Sequence, residues 1–151
     1  FWKSNSPFSN WFLMNFNYRN KTFSSSEQAI MYEKALLFDD LETANKIFNS
    51  SYPKEQKLLG RQVKNFNPQH WDAGKYAIVK DILAHKFTSF PEITHSLLEY
   101  KGYEFVEASP FDRIWGIGFS EENAMENIDR WGENLLGKIL TELSYELSLN
   151  K

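Results

Sequence analysis

Glu27, Met31 and Lys34 stand at i, i+4 and i+7 in "SSSEQAIMYEKALLF", so at about 100° per residue all three lie on one face of a helix. If that face lines a cleft, the carboxylate can act as an acid or base, and a desolvated lysine has a lowered pKa and becomes a nucleophile. If it faces solvent, the pair is an exposed Glu and a solvated Lys two turns away. Spacing alone leaves both readings open. A second pairing lies in "EASPFDRIWGIG", where Asp112 and Trp115 are three apart on irregular backbone beyond an apolar run. Gly116 and Gly118 there permit close backbone approach or positive φ. An acid and a flat ring on a loop held at a strand end suit ligand binding. The competing reading has Trp115 plugging the sheet and Asp112 capping a turn.

Three further features carry polar groups or rings. Trp71, near the start of the most extended periodic segment, is either core packing or a stacking platform. Ser9 and Asn10 sit between Phe8 and Trp11 and offer hydrogen bonds flanked by aromatic rings. Near the end, Gly132, Asn134 and Gly137 surround a helix start, where backbone N–H groups can face an anion such as phosphate.

The elements that must position these residues follow from pattern. "WFLMNFNYRNKTF" reads as two short strands joined by a turn at Asn20. Ser24, three residues before Glu27, forms a capping-box pattern and predicts a helix from about Ser25 to Phe38. "DLETANKIFNS" and "PKEQKLLGRQV" are two more short helices, the latter with Pro53 at its start. "PQHWDAGKYAIVKDILAHKF" is the long helix, and its "KF" at Lys86 and Phe87 reads as an ordinary amphipathic end. "PEITHSLLEY" restarts after Pro91. "YEFVEAS" reads as a strand, "SEENAMENIDRWG" as a loop, and "NLLGKILTELSYELSL" as a last helix with Leu135, Ile139, Leu143 and Leu147 in a stripe. The expected fold is one helix-rich α+β domain over residues 1–151 with a small sheet.

Composition narrows the function classes. A net charge of −3 argues against coating nucleic acid by charge alone, because such binding neutralises many phosphates. A local patch remains open: Lys54, Lys57, Arg61 and Lys64 share one face at helical spacing, with Lys75 and Lys80 on the next helix. The plainer reading of those residues is a solvated face. With no Cys, and with His70, His85 and His95 scattered, no metal-ligand spacing is present, and no metal or cofactor is expected. No apolar run approaches the roughly 18 residues of a membrane span, so a cytoplasmic protein is expected.

Taken in order, "PFSNWF", "FSSSEQAIMYEKA", "LGRQV", Trp71, "LAHKF", "FVEASPFDRIWGIG" and "WGENLLGKIL" resemble the NADAR family, the YbiA-like proteins. The resemblance runs from about Ser6 to Leu147. It implies a hydrolase, an N-glycosidase acting on a ribose C1–N bond at an exocyclic amine. Two substrate classes come with it: ADP-ribose on the guanine amino group of DNA, where a DarT-type toxin is the implied partner, and ribose-phosphate intermediates of early riboflavin synthesis. A non-catalytic module that binds ADP-ribose or a nucleotide is the contrasting expectation.

The family's motifs fall on Glu27, Lys34, Trp71, Asp112 and Trp115. The roles implied are Glu27 as acid/base or water-orienting group, and Lys34 as ribose or phosphate contact or Schiff-base nucleophile. Asp112 would steady positive charge at C1 or orient Lys34, since cleavage builds that charge on the sugar. Trp71 and Trp115 would shape the base pocket, while Ser9, Asn10, Gly116 and Asn134 would hold the ribose-phosphate.

Overall fold

The computed structural model describes residues 1–149. Two compact units make up the chain, Asn10–Ser89 and a second formed by Phe1–Ser9 with the chain from Phe90 onward. The architecture is helix-rich α+β with one two-stranded antiparallel sheet.

In Asn10–Ser89, β1 (Phe16–Tyr18) and β2 (Lys21–Phe23) pair with Phe16 opposite Phe23. Arg19 and Asn20 between them both have positive φ, 48° and 65°, which is what a tight two-residue turn demands. The helices are α1 (Ser26–Leu37), α2 (Leu41–Phe48), α3 (Pro53–Gly60) and α4 (Pro68–Thr88). Helix α1 is the hub, packed on α2, α3, α4 and β2. The expected capping box is shifted by one residue. Ser25 is the cap, its hydroxyl accepting from Gln28 N–H at 3.0 Å, and the Gln28 side chain reaches back to Ser24 N–H at 2.7 Å. Gln28 thus takes the capping role that spacing assigned to Glu27. Helix α3 stops at Gly60, short of the expected Val63, so Lys64 lies beyond the helix and does not continue its face.

The other unit holds α5 (Pro91–Leu98), α6 (Glu121–Ala124), a 3-10 helix (Met125–Arg130) and α7 (Leu135–Ser148). Two expectations are corrected. "SEENAMENIDRWG" is largely helical, not a loop, and "YEFVEAS" is not a strand. The latter is an apolar segment tied down singly: Phe1 N donates to Val106 O, Ala108 N to Phe1 O, and Ile117 N to Glu107 O, each near 3 Å. Without a neighbouring strand of matching length, these bonds do not form a ladder. Ala108, Ile117 and Ala124 form a buried cluster under Val106, Phe119 and Trp131.

Candidate active site

Within Asn10–Ser89 the structure draws four of the expected site residues into one neighbourhood. Asn10 holds the first turn of α1 through two contacts: its carbonyl accepts from Glu27 N–H at 2.9 Å, and its Oδ1 accepts from Ser26 Oγ at 2.8 Å. Glu27 is 9% exposed in that turn, where the positive end of the helix dipole favours a carboxylate. Two turns on, Lys34 donates to the carbonyl of Gly60 at 2.9 Å and lies over the rings of Phe66 and Trp71, at 4.5 and 5.9 Å. Burial holds the Lys34 pKa below the ordinary lysine range; the Glu27 carboxylate opposes this and the Arg61 guanidinium adds to it. The Glu27–Met31–Lys34 face is therefore turned to the end of α3, with Gly60 against the Met31 side chain. Trp71 is itself buried, one edge of the Lys34 surroundings.

A residue that spacing sets aside belongs with this group. Lys86, in the last turn of α4, is fully buried. Its amine is 3.5 Å from Ser26 Oγ and within 6 Å of the rings of Phe12 and Phe87. Burial brings its pKa down to about 7, which keeps a large neutral fraction at physiological pH. The signal is present in the sequence. The buried face of α4 runs Trp71, Lys75, Val79, Ile82, Leu83, Lys86 and Phe87, and Lys86 occupies a core position on it.

The other unit gathers Asp112, Trp115, Gly116 and Asn134, and their polar atoms hold backbone. Asp112 Oδ1 accepts from the N–H groups of Ile114 and Trp115, both at 2.9 Å, as in a capped turn. Asn134, buried with φ 52°, accepts from Glu107 N–H and donates to Phe105 O, each at 3.0 Å. The start of α7 is not open to an anion as expected. The N–H groups of Asn134, Leu135 and Leu136 donate to the carbonyls of Gly116, Ile114 and Trp115 at 3.0–3.1 Å. Gly116 is required by this clasp, since a Cβ there would stand 2.8 Å from Glu107 O. Ser9, also buried, donates its N–H to Ser6 O. Glu107, which spacing does not single out, has its backbone held on both sides, by Asn134 and by Ile117.

Among the described residues, no group of three or more His, Asp or Glu is placed to hold a metal ion, and no helix is long and apolar enough to cross a membrane.

Fold and site together define a small helix-rich α+β protein whose ionisable groups meet at the first turn of one helix and the last turn of another. A model of the NADAR domain family matches residues 1–148, and the chain belongs to that family. It is 44% identical over 147 residues to a protein of Acanthamoeba polyphaga mimivirus named as an N-glycosidase, covering 92% of this chain and 86% of that one. An N-glycosidase of Nostoc punctiforme is 25% identical over 97% of this chain and 88% of its own. A chloroplastic riboflavin biosynthesis protein of Arabidopsis thaliana is 31% identical over 70% of this chain, which spans only 17% of that protein's length. The solution structure of YbiA from E. coli matches the fold with a TM-score of 0.81, over 99% of this chain and 84% of that one, at 24% identity.

Proposed function

We propose that this protein is an N-glycosidase that cleaves a ribose C1–N bond at an exocyclic amine, with ADP-ribose on the guanine amino group of DNA as its substrate. The observation that carries the reading is the Lys86 amine, fully buried with its pKa brought down to about 7, beside Ser26 in the same helical turn as Glu27. An N-linked ribose opens to a form in which C1 is an iminium carbon. The neutral Lys86 amine adds to C1, a proton passes from the new ammonium to the leaving amine, and the C1–N bond to the base breaks. Lys86 is then an iminium on C1. Water adds, the C1–Nζ bond breaks, and the free amine and the sugar aldehyde are returned. Glu27 relays the protons in both halves. Lys34, for which the resemblance implies either a ribose or phosphate contact or a Schiff-base nucleophile, already donates to Gly60 and faces two rings, which suits a cation that positions Glu27. Because Lys86 is fully buried, substrate reaches it only by displacing what covers it; of the two rings beside the amine, Phe12 is the one that is partly exposed.

The test is incubation with an oligonucleotide carrying ADP-ribose on one guanine, with and without borohydride. The expected result is released ADP-ribose and, under reduction, an adduct that maps to Lys86. Turnover by Lys86→Met at the wild-type rate would overturn the lysine route. The riboflavin relative favours a second substrate, an amine-linked ribose-phosphate intermediate, tested by the same trap.

A further inference from the structure

The two faces of α3 differ in charge. Its acidic residue, Glu55, lines with Leu59 a shallow groove against α2 that also presents Glu42, Asn45, Lys46 and Asn49. Its cations Lys54 and Lys57, with Arg61 at its C-cap in helical conformation, stand at i, i+3 and i+7 and so share a different face. Two surface lysines of this unit have a carboxylate to hand, Lys46 and Lys64 both approaching Glu42. Among the described residues, Lys54, Lys57 and Arg61 form no ion pair. Lys57 instead lies over the Trp11 ring at 5.8 Å, and Trp11 follows the Asn10 that secures Glu27. Arg61 acts on Lys34, lowering its pKa, and the Lys34 amine bonds the carbonyl of the residue before Arg61.

The helix dipole accounts for cations in the last turn of α3. It does not account for Lys54 in the first turn, where a cation is disfavoured, nor for an arginine set against a lysine. Unpaired cations gathered beside aromatic rings at the edge of a site are instead the arrangement that tracks a phosphodiester strand.

We propose that Lys57 and Arg61, with Lys54 behind them, form a rim that contacts the backbone phosphates of a single-stranded polynucleotide carrying the modified base. The occupant rests on the N-glycosidase reading above. The rim makes a polynucleotide, in preference to the free modified nucleotide, the substrate of this site.

Two measurements test it. Binding of an unmodified single-stranded oligonucleotide is followed by fluorescence anisotropy across a salt series, for wild type, Lys57→Gln/Arg61→Gln and Lys64→Gln. The double variant is expected to bind on the order of tenfold more weakly, with a salt slope flatter by about 1.4, roughly 0.7 for each phosphate no longer neutralised. Lys64→Gln should match wild type. In the second, kcat/KM is compared for the ADP-ribosylated guanine nucleotide and the same adduct within an oligonucleotide. The preference for the oligonucleotide should fall toward unity in the double variant. Unchanged binding and slope would return these residues to a solvated face and overturn the rim. An equal loss on both substrates would also overturn it, assigning the residues to the substrate's own diphosphate or, through Arg61, to the setting of Lys34. Because the anisotropy needs no turnover, variant-sensitive, salt-dependent binding without any turnover would support the rim and count against the glycosidase reading alone.

Discussion

Asn10–Ser89 and the Asp112–Asn134 region both carry polar residues in an apolar setting, but they use them in opposite ways. In the first, ionisable groups are desolvated: Lys34 is pulled one way by burial and the other by Glu27, and burial brings the Lys86 pKa down to about 7. In the second, Asp112 and Asn134 direct their oxygens at main-chain N–H groups, and the return is a rigid clasp between Arg113–Ile117 and Gly132–Leu136. A buried charge held off its ordinary pKa is costly and marks chemistry more readily than stability. A buried amide with both ends bonded is what any well-made loop requires. On the function proposed above, reactivity belongs to the helical turns and geometry to the loop.

The largest expected effect breaks or keeps the first half of that comparison. Lys86→Arg replaces the amine with a guanidinium that cannot form an imine, and should lower kcat by about a thousandfold or more if Lys86 is the nucleophile, read by release of ADP-ribose from the modified oligonucleotide. Lys86→Met should lose activity equally and gain stability. The sign follows from linkage: the folded pKa of about 7 lies below the unfolded lysine value, so between them the unfolded chain binds more protons, and wild-type stability rises with pH across that window. The advantage of Lys86→Met in urea melts should therefore be full below about pH 7 and shrink as pH climbs toward 10. An advantage independent of pH would mean the amine is not held neutral. Glu27→Gln comes next, with a loss of about 10²–10⁴ in kcat and little change in melting temperature. A wild-type rate would remove Glu27 from proton transfer.

Asn134 probes the second half through stability. Asn134→Ala leaves Glu107 N–H and Phe105 O without their partner and places Ala at φ 52°, so a loss of about 2–4 kcal/mol is expected by chemical denaturation. Asn134→Gly relieves the backbone strain without restoring either hydrogen bond, and should fall between wild type and Ala. If both variants melt like wild type, the clasp is not what holds this loop.

What was legible in the sequence follows the same division. Periodicity and punctuation place the hairpin and the helices, because hydrophobic spacing, Pro53, Pro68 and Pro91 act locally. The shared face of Glu27, Met31 and Lys34 is also legible, since helical geometry alone sets it. Which serine caps α1 is not: Ser24 and Ser25 both satisfy the pattern, with Glu27 and Gln28 three residues on, and the choice depends on Gln28 bonding the carbonyls of Ile47, Phe48 and Ser50, some twenty residues away. "YEFVEAS" has the composition of a strand, yet strand identity depends on a partner that local sequence does not reveal. Lys86 escapes notice because a terminal "KF" is common, although its place on the buried stripe of α4 is there in the sequence to be read.

The smallest expected effect is the sharpest test of the division. Asp112→Asn keeps an Oδ1 that can accept from Ile114 and Trp115, and so keeps the capped turn, but removes the charge. If Asp112 serves geometry, the variant should melt within about 0.5 kcal/mol of wild type and retain kcat within about threefold, whereas Asp112→Ala should lose about 1 kcal/mol with the cap. A hundredfold fall in kcat for Asp112→Asn, with the melt unchanged, would show that the carboxylate also steadies positive charge at C1. The loop would then join the reacting groups, and the boundary between reactivity and geometry would run through Asp112 itself, one oxygen holding the turn while the charge acts on the sugar.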